Sequence, residues 1–378
     1  MTTVDYLVVG AGLSGSTVAR ILADHNREVL ILERRPTVGG NVHDCLHPCG
    51  VRVHTYGPHY FRCAKLPTWE FVNRFGSFYT YRATVKSLVN GRYESWPICR
   101  ALLGRHLDWR SGGRSLKPKN FEEACLQKMP WPVYQAYVEG YTRRQWGVEP
   151  CLLESRLAER IRINDDHEGE LTPQYPYQGL PQMGYANLMA QFVAGIPCRL
   201  GVDYLKVRSE YRARKALVFT GSIDEFFGFD MGALIYRGQE RKQSFITHLN
   251  WYQPCCQVNH PDADDAEPVR TVEWKHLMPT EQQLQVHGTI ITGEYPFATH
   301  NPDQFEYPVP TAPNLWLYRQ YRRRARAVPT LIICGRLGEF CYLDMDQAIE
   351  RASSIARRLC AGRQGPRQFS MSLTRPQE

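Results

Sequence analysis

Residues 5–41 constrain this chain more than any other segment. An apolar stretch, Tyr6 to Val9, runs into Gly10-x-Gly12-x-x-Gly15, and a second apolar stretch, Val29 to Leu32, ends in Glu33. With a helix between them, these form a complete β-α-β dinucleotide-binding unit rather than an isolated glycine triplet. Gly10 permits a tight turn, Gly12 lets the backbone approach a pyrophosphate, and Gly15 lets helix and strand pack closely. The helix opening at Leu13 and Ser14 aims free N–H groups and its positive dipole end at the phosphates. Glu33 stands where a carboxylate can hold both hydroxyls of an adenosine ribose.

Arg34-Arg35-x-x-x-Gly39-Gly40-Asn41 follows that acid directly. A second glycine pair here suits a loop passing close to FAD bound in extended form, and plain NAD dehydrogenases lack it. Arg34 beside the acid keeps a 2′-phosphate, and so NADP, as the other reading. The glycine pair would then have no role.

The length of 378 residues suggests two or three structural units. The predicted fold class is α/β: a Rossmann-like FAD-binding domain with an inserted helical domain and an antiparallel β-sheet domain. Segments 1–80, 181–228 and 328–378 are assigned to the FAD-binding domain, the last including a polar tail after Gly362. Segment 81–97, with its Asn90-Gly91 turn signal, reads as a hairpin of the sheet domain, which resumes over 229–327. Segment 98–180 reads as a helical substrate domain with a loop. Within these segments, residues 164–184 read as a polar loop, Ala233–Tyr236 and Thr289–Thr292 as strands, and residues 345–359 as a final helix. Val218–Gly221 and Leu331–Ile333 read as strands returning to the nucleotide-binding sheet.

Several classes are set aside. The net charge of +8 comes largely from clusters such as Arg322-Arg323-Arg324 with Arg326. A solvated basic face accounts for them, part of the excess serving an anionic substrate, and no nucleic-acid partner is expected. No apolar run reaches 18 residues, so no membrane span is expected. The first strand starts too early for a signal peptide, and a cytoplasmic location is expected. The twelve cysteines show no paired C-x-x-C spacing, so reduced thiols and no metal site are expected.

Three further clusters carry chemistry. In Gly140-Tyr141-Thr-Arg-Arg-Gln-Trp146-Gly147, Tyr141 and Trp146 offer flat faces to a base or sugar, or simply pack at a helix end. Arg160, Arg237, Arg270 and Arg336 are separated arginines, the side chain best suited to grip a diphosphate through paired hydrogen bonds. Tyr307 and Tyr342 bring hydroxyls that can donate to phosphate oxygens, unless they are merely packed.

Together these residues resemble the UDP-galactopyranose mutase family, over about residues 4 to 358. The resemblance is carried by Gly10-Ala-Gly-Leu-Ser-Gly15, Gly39-Gly-Asn41, Tyr56-Gly-Pro-His59, Gly140-Tyr-Thr-x-x-Gln-Trp-Gly147 and Gln178-Gly-Leu-Pro-x-x-Gly-Tyr185. It continues through Thr220-Gly-Ser-Ile-Asp224, Tyr236-Arg237, Glu294-Tyr-Pro296, Gly335-Arg-Leu-Gly-Glu339 and Tyr342-x-Asp344-Met345. The Gln-Trp-Gly and Gly-Arg-Leu-x-Glu elements are the most specific.

The resemblance implies that Tyr141 stacks on uracil and Trp146 lines the sugar pocket. It places Arg160 on a loop that closes over the diphosphate, with Arg270 holding the other side and Arg237 in the substrate set. Tyr307 and Tyr342 would bond phosphate oxygens. His59, Thr220, Gly221, Arg336, Asp344 and Met345 would join the cofactor set. Arg336 and the helix starting near Asp344 would face the flavin pyrimidine edge, and His59 would lie close to its rings. Arg160, Arg270, Arg336 and His59 form the implied catalytic set.

The implied activity interconverts pyranose and furanose forms of UDP-galactose or a related nucleotide sugar. It would use reduced FAD through a covalent flavin N5–sugar adduct, with NAD(P)H as a candidate reductant and a homodimer as the expected assembly. A mutase for another nucleotide sugar (deoxy, amino or heptose) and an amine-oxidase-like flavin oxidoreductase are the alternatives. A silent binding module is a third, against which Trp146, Arg160, Arg270 and Asp344 speak. Two departures stand out. His59-Tyr-Phe-Arg62-Cys63 carries arginine where the family usually has a second histidine. Asn164-Asp-Asp-His-Glu-Gly-Glu-Leu-Thr replaces an Asp/Asn-x-Tyr-Phe element, leaving no tyrosine at the expected diphosphate contact.

Overall fold

The computed structural model of the protein describes residues 1–105, 117–165, 170–262 and 264–362. Residues 106–116 of the expected helical segment, 166–169 of the expected loop and the tail after Gly362 lie outside the described residues.

The N-terminal unit belongs to a five-stranded parallel sheet. Its order is Cys198–Leu200, Val29–Glu33, Thr2–Val9, Tyr211–Phe219, Leu331–Ile333. The central strands are apolar on both faces because both faces are covered. Tyr6 and Val8 pack on one side with the helices Leu13–Asp24 and Met345–Cys360. Leu7 and Leu217 pack on the other with Tyr318 and Tyr321 of the helix Ala312–Arg326. The fold class is therefore the expected one.

Gly15 shows how tightly the first turn is built. A Cβ there would stand 2.0 Å from the Gly10 carbonyl oxygen. Backbone cannot yield cheaply, so Gly15→Ala is expected to cost about 1–3 kcal/mol of stability and to weaken dinucleotide retention. A variant with unchanged melting temperature and unchanged cofactor affinity contradicts this packing.

A second sheet has seven strands. Its order is Tyr307–Pro308, Tyr236–Ile246, Thr289–Thr299, Arg270–Glu273, Gln257–Asn259, Val85–Val89, Arg92–Trp96. All neighbours are antiparallel except Gln257–Asn259 with Val85–Val89. The expected hairpin is present. Asn90 and Gly91 take φ of 49° and 73°, as a two-residue turn between right-twisted strands requires.

Two local expectations fail. The strand expected over Ala233–Tyr236 begins only at Tyr236, because the Leu234 N–H donates to Asp224 Oδ2 instead of a ladder. The loop expected over 164–184 contains the strand Tyr177–Pro181. That strand lies between Phe61–Cys63 and Phe78–Thr80 in a three-stranded antiparallel sheet. Its Gly179 serves close packing rather than a turn, since a Cβ there would meet the Tyr79 carbonyl oxygen at 2.6 Å.

A helical region above the second sheet includes Phe121–Leu126, a π-helical turn Gln135–Glu139, the helix Gly140–Trp146 and the turn Ser155–Arg160. Gly140 lets that helix touch the sheet's edge loop, for a Cβ there would be 2.3 Å from the Pro261 carbonyl oxygen. Among the described residues no helix is long and apolar enough to cross a membrane, and no disulfide joins the cysteines.

Candidate active site

The first cavity lies where the parallel strands end. Gly10 takes φ of 101°, and a Cβ there would stand 2.0 Å from Thr220 Oγ1. The second glycine pair lies on this turn. Gly39 donates its N–H to the Ala11 carbonyl at 2.8 Å, and a Cβ on Gly40 would be 2.9 Å from Gly12 Cα. Glu33 accepts from the Ala11 N–H at 2.6 Å and the Arg35 N–H at 2.9 Å, one on each oxygen. A carboxylate has about four lone-pair directions, so both oxygens can still accept a hydroxyl. Arg34 is committed to Glu225 at 2.8 Å and Asp303 at 3.1 Å, which leaves little free charge for a 2′-phosphate.

This cavity encloses about 200 Å³. All fifteen residues assigned to the cofactor from the sequence line it except Asp344, which lines the cavity beside it. The tight glycine turn, the free helix N-terminus and the accepting carboxylate fit an adenine dinucleotide.

The second cavity encloses about 470 Å³ and shares Asn41, His59, Arg336, Leu343 and Met345 with the first. It is bounded by the helical region and the seven-stranded sheet. Tyr141, Trp146, Arg160, Arg270, Tyr307 and Tyr342 all line it. Arg237 does not. Its guanidinium donates to the carbonyls of Gln145 at 3.2 Å and Arg144 at 3.1 Å, satisfying the last turn of the helix Gly140–Trp146. Gly147 leaves room for it, since a Cβ there would be 2.6 Å from Arg237 Nη1. The sequence assigns Arg237 to the substrate, whereas the structure makes it a helix cap.

Sheet register builds the polar floor. Asn259, Arg270, Glu294 and Arg241 are direct partners across four neighbouring strands. Opposite charges thus face each other across the pleat. Arg270 Nε lies 2.5 Å from Glu294 Oε2, and Arg241 donates to both Glu306 oxygens at 2.8 and 2.7 Å. Burial alone would raise the Glu294 carboxyl, but Arg270 and Arg241 outweigh it and hold it below its usual value.

Another part of the lining gathers cations around stacked tyrosines. Tyr307 and Tyr342 lie parallel, with ring centroids 5.8 Å apart. Arg160 sits over Tyr342 at 3.5 Å and Arg336 at 4.5 Å. Burial pushes Tyr307 up to about 12, whereas at Tyr342 the same burial is outweighed by Arg160 and Arg336 and the hydroxyl falls below its ordinary value. Arg336 is itself fixed by donating to the Leu343 carbonyl at 2.8 Å.

His59 is half-buried, and its desolvation together with nearby His54 and Arg336 lowers it to about 3. The imidazole is neutral at working pH. Its Nδ1 lies 2.7 Å from the Gly57 carbonyl, so Nδ1 carries the proton and Nε2 is left to accept. A role as proton donor from an imidazolium is unsuited to this environment.

Other lining residues were absent from the sequence assignment. Tyr175 lies between Arg62 and Arg162, whose guanidinium carbons are 5.7 and 5.6 Å from its ring. It brings an aromatic to the loop in which the sequence shows no tyrosine at the expected place. Gln257 and Asn259 also line the cavity, and their polar i, i+2 spacing on a strand was the available signal. Gln145 adds a buried side-chain oxygen without a hydrogen-bond partner.

Comparison with known proteins adds the following. A family model described as UDP-galactopyranose mutase matches residues 136–342, and a NAD(P)-binding Rossmann-like domain model matches residues 8–75. A probable UDP-galactopyranose mutase of Klebsiella pneumoniae is 30% identical over 372 residues, covering 94% of each chain. A dTDP-fucopyranose mutase of Escherichia coli is 28% identical over 374 residues, covering 93% of this chain and 97% of that one. The crystal structure of a reduced UDP-galactopyranose mutase superposes with a TM-score of 0.75 at 14% identity, covering 95% of this chain and 96% of the other.

Proposed function

This chain belongs to the UDP-galactopyranose mutase family of isomerases, and from that premise we propose that it interconverts pyranose and furanose forms of a nucleotide sugar with reduced FAD. One observation carries the reading. The dinucleotide cradle and the cation-lined cavity meet at shared residues, Asn41, His59, Arg336, Leu343 and Met345. A sugar held in the larger cavity would therefore lie beside a cofactor held in the smaller one.

Reduced FAD, when bound, supplies the nucleophile for the anomeric carbon and takes no electrons away in net terms. The chain supplies the rest. Gly10, Gly12, Leu13, Ser14, Gly15, Gly40 and Asn41 would cradle the pyrophosphate, and Glu33 the ribose. Thr220, Gly221 and Met345 would close around the cofactor, with Arg336 and the helix capped by Asp344 facing the flavin. Tyr141 and Trp146 would position the base and sugar. Arg160 and Arg270 would hold the departing diphosphate, where preorganised cations stabilise developing charge. Tyr307 and Tyr342 would donate hydroxyls to its oxygens, and His59 would offer a neutral acceptor. A cytoplasmic homodimer, with NAD(P)H as reductant, completes this reading.

Supporting the choice within the family are relatives named for two different sugars, UDP-galactopyranose and dTDP-fucopyranose. The test is to purify the protein, record its flavin spectrum, reduce it with dithionite and incubate it with UDP-galactopyranose, dTDP-fucopyranose and other NDP-hexopyranoses. Yellow protein and a furanose product by NMR are expected. Colourless protein that fails to take up FAD, or substrate-dependent oxygen consumption without a furanose product, overturns the proposal.

A further inference from the structure

Two arginines from distant parts of the chain share one carboxylate. Asp344 Oδ1 accepts from Arg160 Nη1 at 3.1 Å, and Oδ2 accepts from Arg62 Nη2 at 3.0 Å. Arg62 stands on the strand Phe61–Cys63, Arg160 ends the turn Ser155–Arg160, and Asp344 caps the helix Met345–Cys360. All three line the larger cavity. Arg62 also has a buried Nε with no hydrogen-bond partner.

We propose that Arg62 is a positioning residue that frees Arg160 for a phosphate ligand by taking over Asp344. The proposal rests on the reading above that this cavity binds a nucleoside diphosphate. Arg160 cannot hold Asp344 and clamp a diphosphate with the same geometry. If it moved alone, it would leave a carboxylate, only 19% exposed, facing a second anion. Arg62 removes that obstacle because it already holds the other oxygen. Once Arg160 vacates Oδ1, a small rotation brings the unpartnered Nε of Arg62 onto it. The pair then becomes side-on, with two parallel bonds, the stronger arginine–carboxylate geometry. The orphaned N–H is satisfied only in that second arrangement. A neutral side chain at position 62 would leave Asp344 to retain Arg160.

A double-mutant cycle between Arg62 and Asp344 tests this, read as calorimetric affinity of the FAD-loaded protein for UDP, with dTDP in parallel. Asparagine caps helices as well as aspartate, so Asp344→Asn removes the charge and keeps the cap. In the wild-type background Arg62→Gln is expected to weaken UDP binding about tenfold, and in the Asp344→Asn background no more than about twofold. Arg62→Lys, which keeps the cation but cannot form the two parallel bonds, is expected to recover only part of the affinity. Arg62→Met, which keeps the buried stem, is measured alongside in case the glutamine variant loads FAD poorly. Equal penalties in both backgrounds mean that Arg62 acts on the ligand directly and overturn the proposal, as does no penalty in either. Wild-type protein that binds neither UDP nor dTDP overturns the parent reading itself. Binding without Arg62–Asp344 coupling overturns only this proposal.

Discussion

Arg270→Ala is expected to lower kcat/KM by about 10²–10³ while FAD content stays normal. The size follows from the loss of one preorganised charged contact at a departing diphosphate, about 2–4 kcal/mol. The structure explains why Arg270 is so well placed. Its strand register sets it between Asn259 and Glu294, and Glu294 is fully buried with Arg241 on its far side. The guanidinium is therefore held before any ligand arrives, and little ordering entropy remains to be lost on binding. Arg270→Lys separates charge from geometry. It keeps the cation but loses the planar fork that meets Glu294 through Nε and Nη2. An intermediate loss of activity is expected there, with a fall in thermal stability in the alanine variant because Glu294 loses one of its two arginines. Normal steady-state kinetics for Arg270→Ala would remove the residue from the site.

The contrast between Arg270 and Arg237 marks what was legible in the sequence. Both are arginines near the start of strands in the same sheet, and both were assigned to the substrate. Their fates are set by neighbours far away in the chain. Arg270 meets Glu294 through register, whereas Arg237 meets a helix end that Gly147 leaves open. The dinucleotide cradle was legible because its determinants are local: a strand, a glycine turn, a helix start and an acid lie within a few tens of residues. Tyr175, Gln257 and Asn259 were missed because only tertiary packing brings them to the cavity. The strand Tyr177–Pro181 was hidden by its glycine and proline. In the sheet, Gly179 answers a close carbonyl and not a turn. The identity of the cavity's walls followed from motif order, but the pairing of Asp344 with two arginines did not, since Arg62, Arg160 and Asp344 come from three separate elements.

Oxidised holoprotein is expected to turn over no nucleotide sugar, and full activity is expected on reduction without consumption of the reductant. The chemical ground is that reduced flavin is a nucleophile at N5 and oxidised flavin is not. The chain's contribution is electrostatic. Arg336, fixed by the Leu343 carbonyl, lines both cavities, and the helix Met345–Cys360 begins at their junction with its positive dipole end. His59, lowered by desolvation and by nearby cations, is neutral and adds no charge of its own. Fixed positive potential beside a bound flavin would favour the anionic reduced form over the neutral oxidised one, and so would keep such a cofactor in the form the proposed reaction needs. An anaerobic assay with limiting dithionite reads this directly: the flavin's visible absorbance is followed while furanose product accumulates. Product in large molar excess over reductant, with the flavin still bleached, is the expected result. Equal rates for oxidised and reduced protein would sink the nucleophilic role of the cofactor, and product stoichiometric with reductant would instead point to net redox chemistry.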